Sequence, residues 1–222
     1  MRKIKDLINK NQKLRSIVIP IYKRFFFNSN VYWEKRYNSG GNSGTGSYGR
    51  LAEFKAEIIN NFIKENKVET ICEFGCGDGA NLKLYNFEKY FGYDVSKTVI
   101  EQNKIKFKNT KFKFDLISNL NTENKFDLTL SLDVIYHLTD NKIYQDYLKK
   151  LFYSSSNYVI IYSSNFDDLD YINAHIRHRK FINDIPSSFK LVEHIPNAYP
   201  EQISSSNSGD TSYADFFIFK KI

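Results

Sequence analysis

The segment Glu73-Phe-Gly-Cys-Gly-Asp-Gly79 sets an acidic residue ahead of three glycines at alternate positions. Without Cβ atoms the backbone there can take positive φ, turn sharply and approach a ligand closely. Glu73, at the end of an apolar run, can accept hydrogen bonds from a ligand ammonium or hydroxyl. A second carboxylate, Asp94, lies 21 residues on, about where a parallel α/β unit returns an acid to a ribose. Asp133 and His137 are four apart beyond a later apolar run, so a helix starting there would carry both on one face. Histidine titrates nearest neutrality, which makes His137 the candidate base, with Asp133 to orient it or to bind ligand directly. The other reading of His137 is a packing or capping residue. His175, His178 and Arg179 have i, i+3, i+4 spacing and would share a helix face suited to a phosphate or carboxylate. A solvated basic face is the alternative.

These groups need a frame to position them. Val68 to Phe74 reads as a buried strand, and Ala80 to Tyr85 can open a helix after the glycine turn. Tyr90 to Val95 is a second strand, followed by a helix over Ser96 to Phe107 with Ser96 as its cap. Lys111 to Phe114 and Phe126 to Leu132 are further strands, Lys142 to Phe152 a helix, and Tyr158 to Tyr162 a fifth strand. A polar, His/Arg-rich insertion over residues 164–186 precedes strands at Phe189 to Ile195 and Tyr213 to Lys220. The alternation predicts an α/β fold, a Rossmann-like, doubly wound sheet of seven strands with helices on both faces. Upstream, Leu51, Phe54, Ile58 and Phe62 mark an amphipathic helix. Residues 38–49 contain five glycines without apolar periodicity. They form a loop: a linker, or a lid in which Ser43 and Ser47 offer hydroxyl donors to a ligand.

Charge narrows the partners. The chain of 222 residues carries a formal net charge of +7. Residues 1–30 hold eight basic side chains against Asp6, which leaves 24 basic and 24 acidic residues in the rest. The body is neutral, so no phosphate-tracking nucleic-acid face is expected. The first 30 residues read as a basic arm in which residues 3–19 can form an amphipathic helix ended near Pro20. That arm packs on the body or a partner, or lies on a membrane surface. Cys72 and Cys76 match neither a redox pair nor a zinc site, and no fixed metal-ligand spacing exists, so no metal is expected. Two unpaired cysteines and no signal-peptide core point to the cytoplasm, with the arm allowing contact with the inner face of the membrane.

The motifs together resemble the class I S-adenosylmethionine-dependent methyltransferases, whose first motif is an acid followed by G-x-G-x-G. Glu73, Gly75, Gly77 and Gly79 match it, Asp94 corresponds to the ribose-binding acid, Asp115 to the adenine-proximal acid, and Leu130-Ser-Leu-Asp-Val-Ile-Tyr-His137 to the segment after the fourth strand. The resemblance implies S-adenosylmethionine as cofactor, held by Glu73, Gly75, Cys76, Gly77, Gly79, Asp94, Val95, Asp115, Leu116 and Leu132. Tyr136, His175, His178, Arg179, Ser43 and Ser47 would face the acceptor, with His137 and Asp133 catalytic. The domain would span residues 31–222. A narrower resemblance rests on Tyr32-Trp33-Glu34, Arg36-Tyr37, the Ser39-Gly-Gly-Asn-Ser-Gly loop, Ser131 to Leu138 and His175 to Phe181. These look like small methyltransferases of bacterial capsule and surface-polysaccharide clusters. They imply O-methylation of a small polar, anionic acceptor: a sugar, sugar phosphate or phosphoramidate. Gly75, Gly77 and Ala80 also satisfy G-x-G-x-x-A, so an NAD-type oxidoreductase is the competing enzyme class, and a non-catalytic cofactor-binding scaffold a third reading.

Overall fold

A computed structural model describes residues 27–167, 175–201 and 210–222. Seven strands form one sheet: β1 (Thr70–Phe74), β2 (Lys89–Asp94), β3 (Lys113–Leu116), β4 (Phe126–Leu132), β5 (Ser155–Ser163), β6 (Phe189–Ile195) and β7 (Asp215–Lys221), in the order β3-β2-β1-β4-β5-β7-β6. The first five are parallel, and β7 runs antiparallel between β5 and β6. The expected seven-stranded α/β sheet is therefore present.

Side-chain alternation divides the core into two layers. Ile71, Leu128, Leu130, Ile160 and Tyr162 face Ala56, Ile59 and Phe62 of helix α2 (Gly49–Asn66) and Val99 and Ile100 of helix α3 (Lys97–Lys106). Cys72, Phe74, Val159, Ile161 and Phe217 face Leu148, Leu151 and Phe152 of helix α4 (Asn141–Tyr153) on the other side. Strand order reverses between β1 and β4, the switch point at whose carboxyl ends open α/β sheets bind ligands.

Four segments depart from the expected pattern. Residues 29–38 form an α-helix, α1 (Ser29–Asn38), with no regular apolar stripe to announce it. It docks through Glu34, which accepts from Ser96 Oγ (2.6 Å) and Thr98 Oγ1 (2.7 Å) at the start of α3. The expected helix after the glycine turn is a short 3-10 stretch, Ala80–Leu84, because the Leu84 carbonyl accepts from Asn60 Nδ2 and Tyr85 and Phe87 turn into the core. Asp133 to His137 likewise gives only a 3-10 turn, Ile135–His137. Residues 176–180 are not helical: the Arg177 N–H donates to the Tyr136 carbonyl at 2.7 Å instead of to its own chain segment. The proposed basic helix over residues 3–19 lies outside the described residues. Among those described, no helix is long and apolar enough to cross a membrane.

Candidate active site

At the switch point lies a cavity of about 290 Å³, near the lower end of the range for small-molecule sites. Its floor is the glycine turn. The N–H groups of Gly75 and Cys76 donate to the Tyr93 carbonyl at 2.7 and 3.0 Å, folding the turn back on β2. Gly75 (φ 81°) and Gly77 (φ 53°) sit in the left-handed region. A Cβ on Gly75 would reach Val134 Cγ2 at 2.5 Å, and one on Gly77 would run into the Ser43 hydroxyl. Both positions are closed to side chains by backbone shape and by space.

Two carboxylates edge this floor. Glu73 accepts from the Tyr90 hydroxyl at 2.5 Å. Burial pushes its pKa up to about 7 against the opposing pull of that hydroxyl and of Lys55. Asp94 accepts from the Gly77 N–H (3.0 Å) through one oxygen and from the Ser96 N–H (2.9 Å) through the other. Burial raises it to about 6 although those donors favour the anion. Asp94 thus ties the turn to the start of α3 and keeps lone pairs for a ligand.

The roof comes from α1 and the Ser/Gly loop. Trp33, Tyr37, Ser43 and Ser47 line the cavity from above. Asp78 fastens the loop: it accepts from the Ser43 N–H (2.9 Å) and the Tyr48 hydroxyl (2.7 Å), while the Asp78 N–H donates to Ser43 Oγ (2.9 Å). Burial alone would raise the Asp78 pKa, but the Tyr48 hydroxyl and the Ser43 and Ala80 N–H groups hold it below its ordinary value. Asp78 thereby ties Ser43 and Tyr48 of the 38–49 loop to the glycine turn.

On the far wall stand Asp133 and His137. Asp133 adopts a left-handed backbone (φ 61°) that is uncommon outside glycine, and accepts from Lys55 Nζ (2.5 Å) and the Tyr136 hydroxyl (2.9 Å). His137 Nδ1 is 3.0 Å from the His175 carbonyl. A carbonyl can only accept, so Nδ1 carries the proton and Nε2 keeps its lone pair. Burial pushes the imidazole pKa down to about 4, so His137 is neutral at physiological pH. Trp33 meets its ring edge-on at 5.1 Å.

Of the residues singled out in the sequence, Glu73, Gly75, Cys76, Gly77, Asp94, Val95, Leu132, Asp133, His137, Ser43 and Ser47 meet at this cavity. Others do not. Gly79 is a left-handed turn residue closed off by Phe107. Asp115 bonds its neighbours, accepting from the Leu116 N–H and Asn119 Nδ2, and neither Asp115 nor Leu116 lines the cavity, which Ile117 reaches instead. Tyr136 does not line the cavity, and its hydroxyl donates to Asp133. His175 stacks on Tyr32 at 5.5 Å and meets His137 through its carbonyl and through a parallel ring contact at 6.1 Å. His178 Nδ1 lies 2.6 Å from Ser164 Oγ, with its ring stacked on Phe166 and edge-on to Tyr213. Arg179 is buried, donating to the Leu138 and Thr139 carbonyls at 2.7 and 2.9 Å with its guanidinium over Tyr144. The expected joint helix face of His175, His178 and Arg179 does not form. Lys55, Trp33, Tyr37 and Asn81 also line the cavity, none of them a member of the expected site. Among the described residues, no group of three or more His, Cys, Asp or Glu side chains could hold a metal ion.

The sheet order, the antiparallel β6–β7 end and a nucleoside-sized cavity over a glycine turn define the class I methyltransferase fold. The chain belongs to the methyltransferase-domain family, whose model matches residues 65–208. S-adenosylmethionine is the methyl donor of this domain. A search of curated proteins gives no match. Among solved structures, the N-methyltransferase NodS from Bradyrhizobium japonicum WM9, in complex with S-adenosyl-L-homocysteine, superposes with a TM-score of 0.67 at 17% identity, covering 88% of this chain and 99% of that one. Magnesium protoporphyrin IX methyltransferase (ChlM) from Synechocystis PCC 6803 with bound SAM gives 0.60 at 13% identity over 88% and 98%. The methyltransferase domain of bacterial CtHen1 gives 0.56 at 18% over 78% and 99%. Identities this low establish a shared fold. The cavity fits the donor chemically: Asp94 and Glu73 offer acceptors for hydroxyls and a cation, Asn81 Oδ1 is buried there without a partner, and Val95, Ile117 and Leu132 give apolar walls for a base.

Glu73 carries a titration consequence. In the free protein its pKa near 7 lies above the ordinary 4.5, so the folded state holds a proton that the unfolded state releases, and ligand-free stability falls as pH rises from about 4.5 to 7. A cation bound beside Glu73 needs the anion. Donor affinity is therefore expected to be flat above pH 7 and to weaken about tenfold per pH unit below it, with one proton released on binding. Calorimetry in buffers of different ionisation enthalpy checks this; a flat affinity between pH 5.5 and 8 contradicts it.

Proposed function

We propose that the protein transfers the methyl group of S-adenosylmethionine to a hydroxyl oxygen of a small polar acceptor of the sugar class, in bacterial surface-glycan synthesis. The observation that carries the reading is His137: neutral, its Nδ1 proton fixed on a backbone carbonyl, and its Nε2 lone pair available beside the cavity. The bound donor supplies a methyl carbon made electrophilic by its sulfonium. Glu73 would receive the donor's ammonium and Asp94 its ribose hydroxyls, while Trp33 and Tyr37 exclude water from above. His137 Nε2 would accept a hydrogen bond from the acceptor hydroxyl, aligning the oxygen, and take its proton as the new bond forms. A base as weak as His137 suffices, because a methylated hydroxyl that still holds its proton is far more acidic than an imidazolium.

The side chains expected to hold an anionic acceptor are engaged elsewhere: Arg179 on the Leu138 and Thr139 carbonyls, His178 beside Ser164. The cavity presents the carboxylates Glu73, Asp94, Asp133 and Asp146 against Lys55 and Lys150, a balance that favours an uncharged hydroxyl acceptor. Methyl-labelled donor offered with panels of free sugars, nucleotide sugars, sugar phosphates and amines tests the reading. Label in an alkali-stable ether of a neutral sugar supports it; label only in amines, or only in acidic acceptors, overturns it.

Roof closure should govern donor release. Because Glu34 ties α1 to α3, Glu34→Ala is expected to speed S-adenosylhomocysteine dissociation by about three- to tenfold in stopped-flow measurements, in line with loss of hydrogen bonds to a solvent-screened carboxylate. An unchanged release rate would mean the helix is held by Trp33 and Tyr37 packing alone.

A further inference from the structure

Helix α2 buries Leu51, Lys55 and Ile59 on one stripe, so a lysine occupies a position that the amphipathic pattern reserves for an apolar side chain. Lys55 is 1% exposed. Its ammonium has three donors; Asp133 takes one, and the Tyr162 ring lies 5.3 Å away. No other hydrogen-bond acceptor for Lys55 is found among the described residues, and the side chain lines the cavity together with Glu73. A buried ammonium is costly unless paired and hydrogen-bonded, and Asp133, 18% exposed, shares itself with Tyr136. The same cavity thus offers one carboxylate, Glu73, to which the Tyr90 hydroxyl donates, and one ammonium with donors to spare. That is the complement of a zwitterion.

Resting on the donor-site reading of the proposed function, we infer that Lys55 is the residue that receives the carboxylate of the donor's amino-acid end, with Glu73 receiving its ammonium. Asp133 then acts as a positioning residue. Its left-handed backbone and its bond from Tyr136 hold the carboxylate against Lys55 Nζ, leaving the ammonium's other N–H bonds for the ligand. This explains why the buried stripe of α2 carries a charge, and it makes Lys55 a determinant of which sulfur nucleoside binds. A nucleoside without a carboxylate leaves the ammonium short of acceptors in a dry site, so it is disfavoured by more than the lost contact alone.

Calorimetric titration with three ligands tests the inference: S-adenosylhomocysteine, its analogue lacking only the carboxylate, and methylthioadenosine, which lacks the whole amino-acid end. Wild-type protein is expected to prefer S-adenosylhomocysteine over the decarboxylated analogue by about 10- to 100-fold, as for a buried charge-assisted hydrogen bond. In Lys55→Met that preference should fall to within about threefold, through weaker binding of S-adenosylhomocysteine alone. Since Lys55→Met strands the Asp133 charge, the double variant Lys55→Met/Asp133→Asn removes both charges and should show the same loss of preference. A merely structural lysine would weaken both ligands equally, and that result overturns the inference. An unchanged preference in a folded variant overturns it too, and assigns Lys55 to the acceptor side. If wild-type protein binds none of the three, the donor-site reading itself has failed, an outcome distinct from the other two.

Discussion

Replacing His137 by alanine is expected to lower kcat by about 10²- to 10⁴-fold, the usual contribution of a positioned proton acceptor, while S-adenosylhomocysteine affinity changes by less than about threefold. The split has its origin in the site. His137 lies on the β4 side of the cavity, whereas the groups assigned to the donor, Glu73 and Asp94, lie at the ends of β1 and β2. The His137 pKa near 4 gives a second signature: the acid limb of kcat in the wild type should not appear at the ordinary histidine value of 6.5 but well below pH 6. His137→Gln can still accept a hydrogen bond from the acceptor but cannot take the proton at comparable strength, so it should recover binding of the acceptor and little of the rate. Equal losses of kcat and donor affinity in His137→Ala would instead make the residue a packing element under Trp33.

Asp94→Ala should weaken S-adenosylhomocysteine binding by more than about 100-fold and lower the melting temperature as well. Two effects coincide. The acceptors assigned to the ribose hydroxyls disappear, and the Gly77 and Ser96 N–H groups lose their partners in a buried site, at about 1–3 kcal/mol each. Asp94→Asn separates them. Its one amide oxygen can keep one of the two N–H groups, so the fold should recover part of its stability while donor affinity stays low. A normal affinity in Asp94→Ala would remove the carboxylate from the donor site.

Short-range pattern accounts for the parts of the molecule that are legible in the sequence. The bounds of β4 (Phe126–Leu132) and β6 (Phe189–Ile195) coincide with their apolar runs, and Ser96 caps α3 by accepting from the Val99 N–H, as its position implied. Glu73, Gly75, Gly77 and Asp94 reach the cavity because strand ends in a parallel sheet leave little choice of where to go. The departures from that pattern each have a physical reason. His175, His178 and Arg179 would share a face only on a helix, but the Arg177 N–H pairs with Tyr136 and the Arg179 guanidinium with the Leu138 turn, long-range bonds that no local pattern encodes. Asp115 lies two residues before Ile117, the residue of that segment that lines the cavity. Helix α1 is invisible in the sequence because polar bonds from Glu34 and aromatic contacts of Trp33 and Tyr37 hold it, not an apolar stripe. Lys55 does leave a signal: it falls between Leu51 and Ile59 on the inward face of an amphipathic helix, where a charge needs a partner.

The most direct measurement is calorimetric titration of S-adenosylhomocysteine into the folded wild-type protein and into Asp94→Asn at about pH 8, above the Glu73 and Asp94 pKa values. One site per chain is expected in the wild type, with a loss of at least about tenfold in affinity in the variant. No binding by the wild type, or equal binding by both proteins, would contradict that expectation.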